Sequence, residues 1–334
     1  MKYIITVDAG TTNTRAILFD EQREMKALEN RAVGVRNTAI DGDNHQLKTA
    51  VRECLNGLLA KEHIGFEDIS MIIASGMITS NVGLVEIPHL TAPAGINELA
   101  AGVTPVLLED ICPVPIHFIP GIKNTSDPIT LDNYESMDIM RGEETESIAL
   151  ISELPADRRI LIVLPGSHTK FVSVNESGQI TGCLTTLTGE LLSVVTNNTI
   201  IADAVGHQYA QEETFDRDIL LAGYQNARKT GPGRACFSCR ILSQFTNLPQ
   251  EKLACYLLGS ILQSDVISIR NSTALSVDRS SIVLVAGKEP LRRAICEVLR
   301  FDGFFSDIVE YESTGSIPLS GKGALLIAHQ KDLL

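Results

Sequence analysis

The sequence predicts an α/β protein of two similar domains, and three observations support this. The chain has 334 residues, more than one simple hydrophobic core usually holds. Residues 3–19 have the pattern of a strand, a polar loop and a second strand. The same order recurs at residues 160–174, and an internal repeat on this scale indicates a duplicated domain. We therefore expect each domain to begin with a hairpin whose tip is polar.

The first polar loop has the sequence DAGTTNT and lies between the apolar runs YIITV and RAILF. Gly10 allows a ligand to approach the backbone, and side-chain and backbone donors follow at Thr11, Thr12 and Asn13. Asp8 adds a carboxylate at the end of the first strand. Donors beside one carboxylate suit a phosphate with its magnesium ion, although an ordinary polar turn has a similar composition. The spacing matches neither a P-loop nor a dinucleotide fingerprint.

The second polar loop, PGSHTK, repeats this design without the acid. Its glycine is Gly166, and the donors that follow are Ser167, His168, Thr169 and Lys170. Leu164 stands where the first copy has its aspartate. We therefore expect the first loop to organise metal and the second to supply donors to a polyphosphate between the two. A phosphate contact is favoured over catalysis for His168.

A third element, IVLVAGKEPLRRAICEVL, places Gly287 between a buried strand and a helix that Pro290 opens. The flat base of a nucleotide could lie against the backbone at this glycine. Such junctions are also common for structural reasons alone in α/β folds. Gly287 is the candidate adenosine contact.

The remaining segments predict the domain organisation. A helix is expected at 46–61, followed by a buried strand that ends at Gly76, whereas the proline-rich segment 88–128 allows short extended pieces but no long helix. A helix begins at Glu143, and residues 190–270 have a mainly helical pattern. We place the domain boundary in the helix that begins at Glu143. This divides the chain into residues 1–145 and residues 146–334, and the second domain has a helical insertion.

Composition and charge exclude several classes of function. No apolar run approaches the roughly 20 residues of a membrane span. The net charge is −13 and no basic arm is present, so binding to nucleic acid is not expected. The opening residues, MKYIITVDAG, lack the apolar region of a secretion signal, which favours a cytoplasmic protein.

Seven cysteines are scattered along the chain, which is typical of reduced thiols. Cys236 and Cys239 have C-x-x-C spacing, but no second pair follows at the distance of a zinc site. We expect these two cysteines to have a structural role without metal.

The order of these elements resembles the superfamily of actin, sugar kinases and heat-shock ATPases, which has two phosphate hairpins and a later adenosine segment. Further motifs are similar, in order and spacing, to those of the 2-dehydro-3-deoxygalactonokinase family: GMITSN (76–81), MRGEET (140–145), LPGSHTK (164–170) and LTGEL (187–191). The resemblance extends from residue 3 to about residue 330. It implies two ribonuclease H-like (actin-like ATPase) domains around a central cleft.

The resemblance also implies a reaction. Members of this family use ATP to phosphorylate the terminal hydroxyl, at C6, of 2-dehydro-3-deoxygalactonate in galactonate breakdown. The first domain would carry the sugar side of the cleft and the second the nucleotide side. Mg²⁺ would accompany ATP, held by Asp8, and phosphoryl transfer needs such charge neutralisation together with a group that accepts the hydroxyl proton.

The resemblance places that base where the last strand of the first domain enters the interdomain helix. In this sequence the place is MRGEETE, and the base is either Glu143 or Glu144. Arg141 is the expected partner of the sugar acid's carboxylate or of a phosphate. Two acids at a helix start could also serve only the helix dipole.

Residues for the sugar follow from the other two motifs. Thr79, Ser80 and Asn81 are polar groups after a buried strand and suit hydroxyl contacts, although a plain loop has a similar composition. Glu190 could meet sugar or metal across the cleft, or could simply begin a helix.

Two alternatives to this function remain. The chain could be a kinase for another small sugar or sugar acid, because epimers differ in single hydrogen bonds that a sequence does not reveal. It could also be a non-catalytic regulatory module gated by a nucleotide. The expected partners are ATP and a small sugar acid, without nucleic acid or membrane, and a homodimer is compatible with the sequence.

Overall fold

A computed structural model of the protein describes residues 2–154, 157–313 and 315–331. In chain order, the strands of these residues are β1 (Tyr3–Ala9), β2 (Thr14–Phe19), β3 (Met25–Arg31), β4 (Ile69–Gly76), β5 (Leu90–Thr91), β6 (Thr104–Val106), β7 (Ile116–Phe118), β8 (Ile122–Lys123), β9 (Ile139–Met140), β10 (Ile160–Leu164), β11 (Thr169–Val174), β12 (Ile180–Thr186), β13 (Ile282–Val285) and β14 (Asp307–Glu310).

The helices of the same residues are α1 (Val35–Asp41), α2 (His45–Glu62), α3 (Ile96–Gly102), α4 (Glu143–Ile151), α5 (Thr188–Asn198), α6 (Arg217–Thr230), α7 (Pro232–Phe245), α8 (Gln250–Asn271), α9 (Leu291–Asp302) and α10 (Leu319–Gln330). Short 3₁₀ turns occur at Phe66–Asp68, Met77–Thr79, Tyr134–Ser136 and Ala202–Val205. The helix expected at 46–61, the strand that ends at Gly76 and the short pieces of the proline-rich segment are confirmed.

Two large sheets form the framework, and they begin in the same way. The first has the order β3-β2-β1-β4-β7-β6 and the second the order β12-β11-β10-β13-β14. In each, an antiparallel hairpin is followed by a parallel strand on its other side: β1 pairs with β2 and β4, and β10 pairs with β11 and β13. The duplication predicted from sequence is confirmed, and the fold is α/β with two similar domains.

The hairpin strands lie deep in the fold. The apolar residues Ile4, Ile5 and Val7 of β1 and those of β10 at 160–163 are at most 4% exposed. Such continuous apolar runs are expected of central strands covered on both faces. Each hairpin tip therefore extends from a rigid, buried base.

Two helices, α4 and α10, cross between the sheets. They pack so closely that a Cβ on Gly323 of α10 would lie 1.8 Å from the backbone oxygen of Thr145 in α4. A Cβ on Gly321 would lie 2.7 Å from Ile17 of β2, so α10 covers the first sheet although its residues come last in the chain. One continuous apolar core joins the two domains through these helices, and its members include Ile17, Met71, Ile162, Leu284, Ala324 and Ile327.

The insertion of the second domain is helical, as expected, and comprises α5 to α8. Among the described residues, α8 is the one helix long and apolar enough to cross a membrane by length and composition, and 78% of its most apolar window is buried in the fold. Cys239 is buried on α7 and Cys236 is half-buried on the same helix.

Candidate active site

Each of the two hairpin tips has a glycine, Gly10 in the first and Gly166 in the second, so its backbone is not covered by a side chain at that position. A Cβ built on Gly10 would meet no heavy atom nearer than 3.9 Å, and one on Gly166 would meet only the backbone oxygen of His168, at 3.3 Å. The packing of the protein therefore does not require glycine at Gly10, whereas a side chain at Gly166 would need the backbone of His168 to shift by a few tenths of an ångström. Thr11, Thr12 and Ser167 are exposed at the tips. This arrangement leaves room for a ligand to approach the backbone closely.

Each tip rests on the N-terminus of a helix, which the sequence analysis did not foresee. Val35 and Arg36 of α1 donate their backbone N–H groups to the oxygens of Gly10 and Thr11, over 3.1 and 2.9 Å. In the second domain, Glu190 of α5 donates its N–H to the oxygen of Ser167 over 3.0 Å. Both helix starts carry a glycine that the contact requires.

Those two glycines are Gly34 and Gly189. A Cβ on Gly34 would lie 2.5 Å from the oxygen of Gly10, and a Cβ on Gly189 would lie 2.3 Å from the oxygen of Gly166. The signal in the sequence was a glycine soon after the third strand of each repeat. The predicted repeat covers only the hairpins, so it does not include these two glycines.

A cavity of about 410 Å³ opens between the domains and gathers many of the predicted residues. It is lined by Gly10, Thr11, Met77, Ser80, Asn81, Glu86, His89, Ile139, Met140, Arg141, Glu143, His168 and Lys170. Residues predicted for phosphate and residues predicted for sugar therefore share one space. We call it the acceptor cavity.

Arg141 is held in the wall of the acceptor cavity by neutral partners. Its guanidinium donates to Thr79 Oγ1 over 2.7 Å and to the backbone oxygen of Ile87 over 2.6 Å, and lies 3.3 Å from His89 Nδ1. Among the described residues, no carboxylate lies within ion-pair distance of this guanidinium. Burial lowers the pKa of Arg141, although the charges of Glu144 and Glu86 oppose the shift. A half-buried cation without a paired anion is a site for an anionic ligand.

Thr79 and Thr169 do not line the acceptor cavity. Thr79 is 1% exposed, and its hydroxyl donates to the oxygen of Gly76 over 3.0 Å while it accepts from Arg141. Thr169 is fully buried in β11. Both side chains thus lie behind the residues that line the cavity. From there the Thr79 hydroxyl holds the guanidinium of Arg141.

The second hairpin contributes a lysine and a histidine to the same cavity. Lys170 is 6% exposed, and its ammonium donates to the oxygen of Ile139 over 2.8 Å and to Thr185 Oγ1, with Asp138 at 3.8 Å. His168 Nε2 lies 2.8 Å from a carboxylate oxygen of Glu190 near the open end of the cavity. The predicted nucleotide contacts His168 and Lys170 thus lie beside the predicted sugar contacts.

Glu143 and Glu144 differ in environment. Glu143 lines the acceptor cavity, and its Oε2 accepts the backbone N–H of Arg141 over 3.1 Å. Glu144 is 1% exposed and folds back to accept the N–H of Gly142 over 2.8 and 2.9 Å. Burial, together with the charge of Glu143, raises the pKa of Glu144 to about 8. Only Glu143 of the pair lines the acceptor cavity.

A second cavity of about 480 Å³ lies on the other side of the first turn of α4. Its lining is Glu146, Leu164, Pro165, Ala286, Gly287, Lys288, Glu289, Leu291 and Leu319. Gly287 has a φ of +126°, and a Cβ there would lie 3.0 Å from the Pro165 ring. The position therefore needs glycine, and its mostly apolar surroundings suit a flat base. We call this space the nucleotide cavity.

Glu146 is a site residue that the sequence analysis missed. It follows Glu143 by three residues, so the two side chains are neighbours along α4, and it lines the nucleotide cavity. Burial, and then the charges of Asp8 and Glu143, raise the pKa of Glu146 to about 8. The signal was the third acid of GEETE, whose spacing of three residues from the first makes the two side chains neighbours on a helix.

Asp8 belongs to the same acidic group. Burial raises its pKa and the charge of Glu143 adds to that shift, while a hydrogen bond with Ser320 and the charge of Arg15 oppose it. Among the described residues no three metal-ligating side chains converge on one point. Carboxylates that repel one another, next to a loop predicted to bind phosphate, fit a divalent cation that takes its other ligands from phosphate and water. Asp8 and Glu146 are the residues present to hold one.

The first turn of α4 thus separates the two cavities, with Glu143 on one side and Glu146 on the other. A carboxylate in the acceptor cavity thus stands next to the nucleotide cavity, near the two hairpin tips. This fold and arrangement are those expected of a phosphotransferase with an alcohol group as acceptor, a kinase of carbohydrate metabolism that binds a nucleotide.

The family model of 2-keto-3-deoxy-galactonokinase matches residues 8–316, and the chain belongs to this family. It is 29% identical over 286 residues to the 2-dehydro-3-deoxygalactonokinase of Escherichia coli strain K12, with 85% of each protein covered. A crystal structure from Sinorhizobium meliloti, provisionally named as a 2-dehydro-3-deoxygalactonokinase, is 22% identical with a TM-score of 0.71. That alignment covers 98% of this chain and 97% of the other, and it confirms the fold.

Proposed function

We propose that this sugar kinase transfers the γ-phosphoryl group of ATP to the 6-hydroxyl of 2-dehydro-3-deoxy-D-galactonate, in the cytoplasmic breakdown of galactonate. The observation that supports this substrate is Arg141, a half-buried cation in the acceptor cavity whose partners are all neutral. A carboxylate would neutralise it through charge-assisted hydrogen bonds, which a neutral sugar cannot offer. The E. coli relative carries the name of the same activity.

Glu143 is the proposed base. It lines the acceptor cavity, whereas the carboxylate of Glu144 is bonded to the backbone of Gly142. Glu143 would accept the proton of the substrate's 6-hydroxyl while the hydroxyl oxygen attacks the γ-phosphorus of ATP. The bond between the γ-phosphorus and the bridging oxygen of the β-phosphate breaks in the same step, and ADP leaves. Glu144 is proposed instead to stabilise the start of α4 through its bonds to Gly142. It is the second candidate for the base.

The nucleotide is proposed to lie with its base at Gly287 and its phosphates between the two tips. The donors of the first tip are Gly10, Thr11, Thr12 and Asn13, and those of the second are Gly166, Ser167, His168 and Lys170, whereas the predicted contact Thr169 is fully buried behind the tip. Asp8, with Glu146 beside it, would hold Mg²⁺, which neutralises charge on the phosphate oxygens. The open space at Gly10 and the single 3.3 Å contact that a Cβ on Gly166 would make support close approach of the phosphates at both tips.

The rest of the acceptor cavity is proposed to bind the sugar chain. Ser80 and Asn81 would contact its hydroxyls, Thr79 would act through Arg141, and Glu190 would act through His168 or meet the sugar directly. The first domain would then carry most of the sugar side, and the second the nucleotide side. A homodimer is compatible with this arrangement.

A screen of ADP release tests the proposal. Purified protein with Mg²⁺ and ATP is offered 2-dehydro-3-deoxygalactonate, its C4 epimer, galactonate, galactose and glucose. We expect the first to have the highest kcat/KM and the neutral sugars to be at least about 100-fold poorer, because they leave Arg141 unpaired. Phosphorus NMR of the product should place the phosphate on C6.

Two results would contradict the proposal. A neutral sugar that equals the acid would remove the role of Arg141 and favour a kinase for another sugar. Nucleotide binding without turnover on any acceptor would favour the regulatory module.

A further inference from the structure

His89 lies in the wall of the acceptor cavity beside Arg141, and no motif drew attention to it. It belongs to the loop that follows the GMITSN motif, and that loop also supplies the Ile87 oxygen to the guanidinium. A Cβ on Gly121 would lie 2.8 Å from both His89 Cδ2 and Arg141 Cγ. The two side chains are therefore pressed against the same piece of backbone, which fixes them as a pair.

The contact with Arg141 determines the tautomer of His89. A guanidinium only donates hydrogen bonds, so His89 Nδ1, 3.3 Å from Arg141 Nη2, must accept. Burial, and then the charges of Arg141 and Lys123, lower the pKa of His89 to about 4. The imidazole is thus neutral near pH 7 and carries its one proton on Nε2.

That proton has no acceptor in the described protein. His89 Nε2 is buried and makes no hydrogen bond among the described residues. Arg141 adds two more free donors, because three of its five N–H groups are used by Thr79, Ile87 and His89. In or just behind this wall of the cavity, His89 Nε2–H and two N–H groups of Arg141 are therefore donors without acceptors among the described residues. We call this the donor wall.

We propose that His89 is a specificity-determining residue for 2-keto acids: it orients Arg141 through Nδ1 and donates through Nε2–H to the carbonyl oxygen next to the substrate's carboxylate. The inference rests on the proposed function, since it concerns the same acceptor site. A carboxylate and its adjacent carbonyl carry only acceptors and match the donor wall. A 2-hydroxy acid carries a hydroxyl proton there that would find no acceptor, and unpaired polar groups of this kind are what make a site selective.

Three variants separate the two contacts of His89. In His89→Asn the amide oxygen can replace Nδ1 as acceptor for Arg141, but nothing replaces Nε2–H. In His89→Gln the longer amide can donate near the Nε2 position. His89→Phe removes both contacts. His117→Asn is the matched control, because His117 is also half-buried, with Nδ1 3.2 Å from the Ile72 oxygen, and lines neither described cavity.

Calorimetric titration of the full chain with 2-dehydro-3-deoxygalactonate and with its borohydride-reduced 2-hydroxy form provides the measurement. We expect the wild type and His117→Asn to prefer the keto acid by about tenfold, His89→Asn to lose that preference, and His89→Gln to regain part of it. His89→Phe should weaken both ligands, since Arg141 loses its support. Melting curves check that each variant is folded.

The outcomes distinguish this inference from the proposed function. Unchanged preference in a folded His89→Asn would overturn the role of His89 even if the wild type phosphorylates the acid. Binding with the expected preference but without phosphorylation would support His89 and contradict the proposed function. Failure of the wild type to bind any 2-keto acid would overturn both.

Discussion

Glu143 and Glu144 show how one position along a helix start changes the chemistry of a carboxylate. Glu143 lies in the acceptor cavity, where a substrate hydroxyl can reach it. Glu144 is buried under the same turn and is bonded to the backbone N–H of Gly142. The sequence places both acids beside each other and leaves the choice of base open, whereas their environments favour Glu143.

We expect Glu143→Gln to lower kcat by about 10²- to 10⁴-fold, the usual contribution of a general base. Glu144→Gln should stay near the wild-type rate, because its amide oxygen can still accept from Gly142. Steady-state kinetics with saturating ATP checks both variants, and ATP binding should be preserved in each. If Glu144→Gln alone lost turnover, the base would have been assigned to the wrong residue.

Several residues of the proposed site are suggested one by one by the sequence, because each belongs to a short local motif. Gly10, Gly166 and Arg141 are in motifs whose chemistry is evident over a few residues. Glu146 and His89 were missed, because their importance depends on the neighbours that folding brings to them. Asp8 and Glu143 raise the pKa of Glu146, and Arg141 gives His89 its tautomer.

At the scale of elements, the two hairpins contain glycines of two kinds. Gly10 has room for a side chain within the protein and Gly166 has a single tight contact, whereas Gly34 and Gly189 lie against the hairpin backbone behind the tips. We propose that a ligand accounts for the first kind, and packing accounts for the second. This distinction depends on interatomic distances, and for that reason the sequence could identify glycine-rich turns without separating the two kinds.

Gly10→Ala and Gly34→Ala test that distinction as a matched pair. We expect Gly10→Ala to change the free energy of unfolding by less than about 0.5 kcal/mol while it weakens ATP binding by tenfold or more. Gly34→Ala should lower the free energy of unfolding by about 1–3 kcal/mol, since its Cβ would overlap the hairpin backbone. Urea unfolding and nucleotide titration measure the two effects. Equal destabilisation by both would show that the first tip is also built by packing.

The first turn of α4 should make stability depend on pH. Glu144 and Glu146 have folded pKa values of about 8, against an ordinary value of 4.5. A carboxyl whose pKa is raised by folding stabilises the folded state below pH 4.5, and this contribution is lost as pH rises towards 8. The melting temperature of the protein without nucleotide should therefore fall across that window.

Glu146→Gln should remove about half of the fall in melting temperature that Glu144 and Glu146 cause together, because it eliminates one of two similar pKa shifts. Glu176→Gln, a change of an exposed acid between β11 and β12, is the control and should leave the slope unchanged. Melting curves between pH 5 and pH 8.5 provide the measurement. A slope in Glu146→Gln equal to that of the wild type would mean that Glu146 titrates normally in the folded protein.

At the scale of the whole molecule, the internal repeat predicted the duplicated architecture, and the two sheets confirm it. The packing of α10 against the first sheet was not predicted, since sequence order places it after the second domain. Helix α10 and helix α4 form the connection between the domains. Residues on that connection, Glu143, Glu146 and Leu319, line the two cavities, so the proposed site is assembled only when both domains are present.

The central claim is that a sugar acid and ATP occupy the two cavities on either side of the first turn of α4. A crystal structure with a non-hydrolysable ATP analogue, Mg²⁺ and 2-dehydro-3-deoxygalactonate tests it most directly. We expect the adenine at Gly287, the γ-phosphate between the two tips, the carboxylate on Arg141, and the 6-hydroxyl within about 3 Å of Glu143. A nucleotide bound away from the tips, or a sugar acid whose carboxylate lies at Glu143 and whose 6-hydroxyl lies at Arg141, would contradict the account.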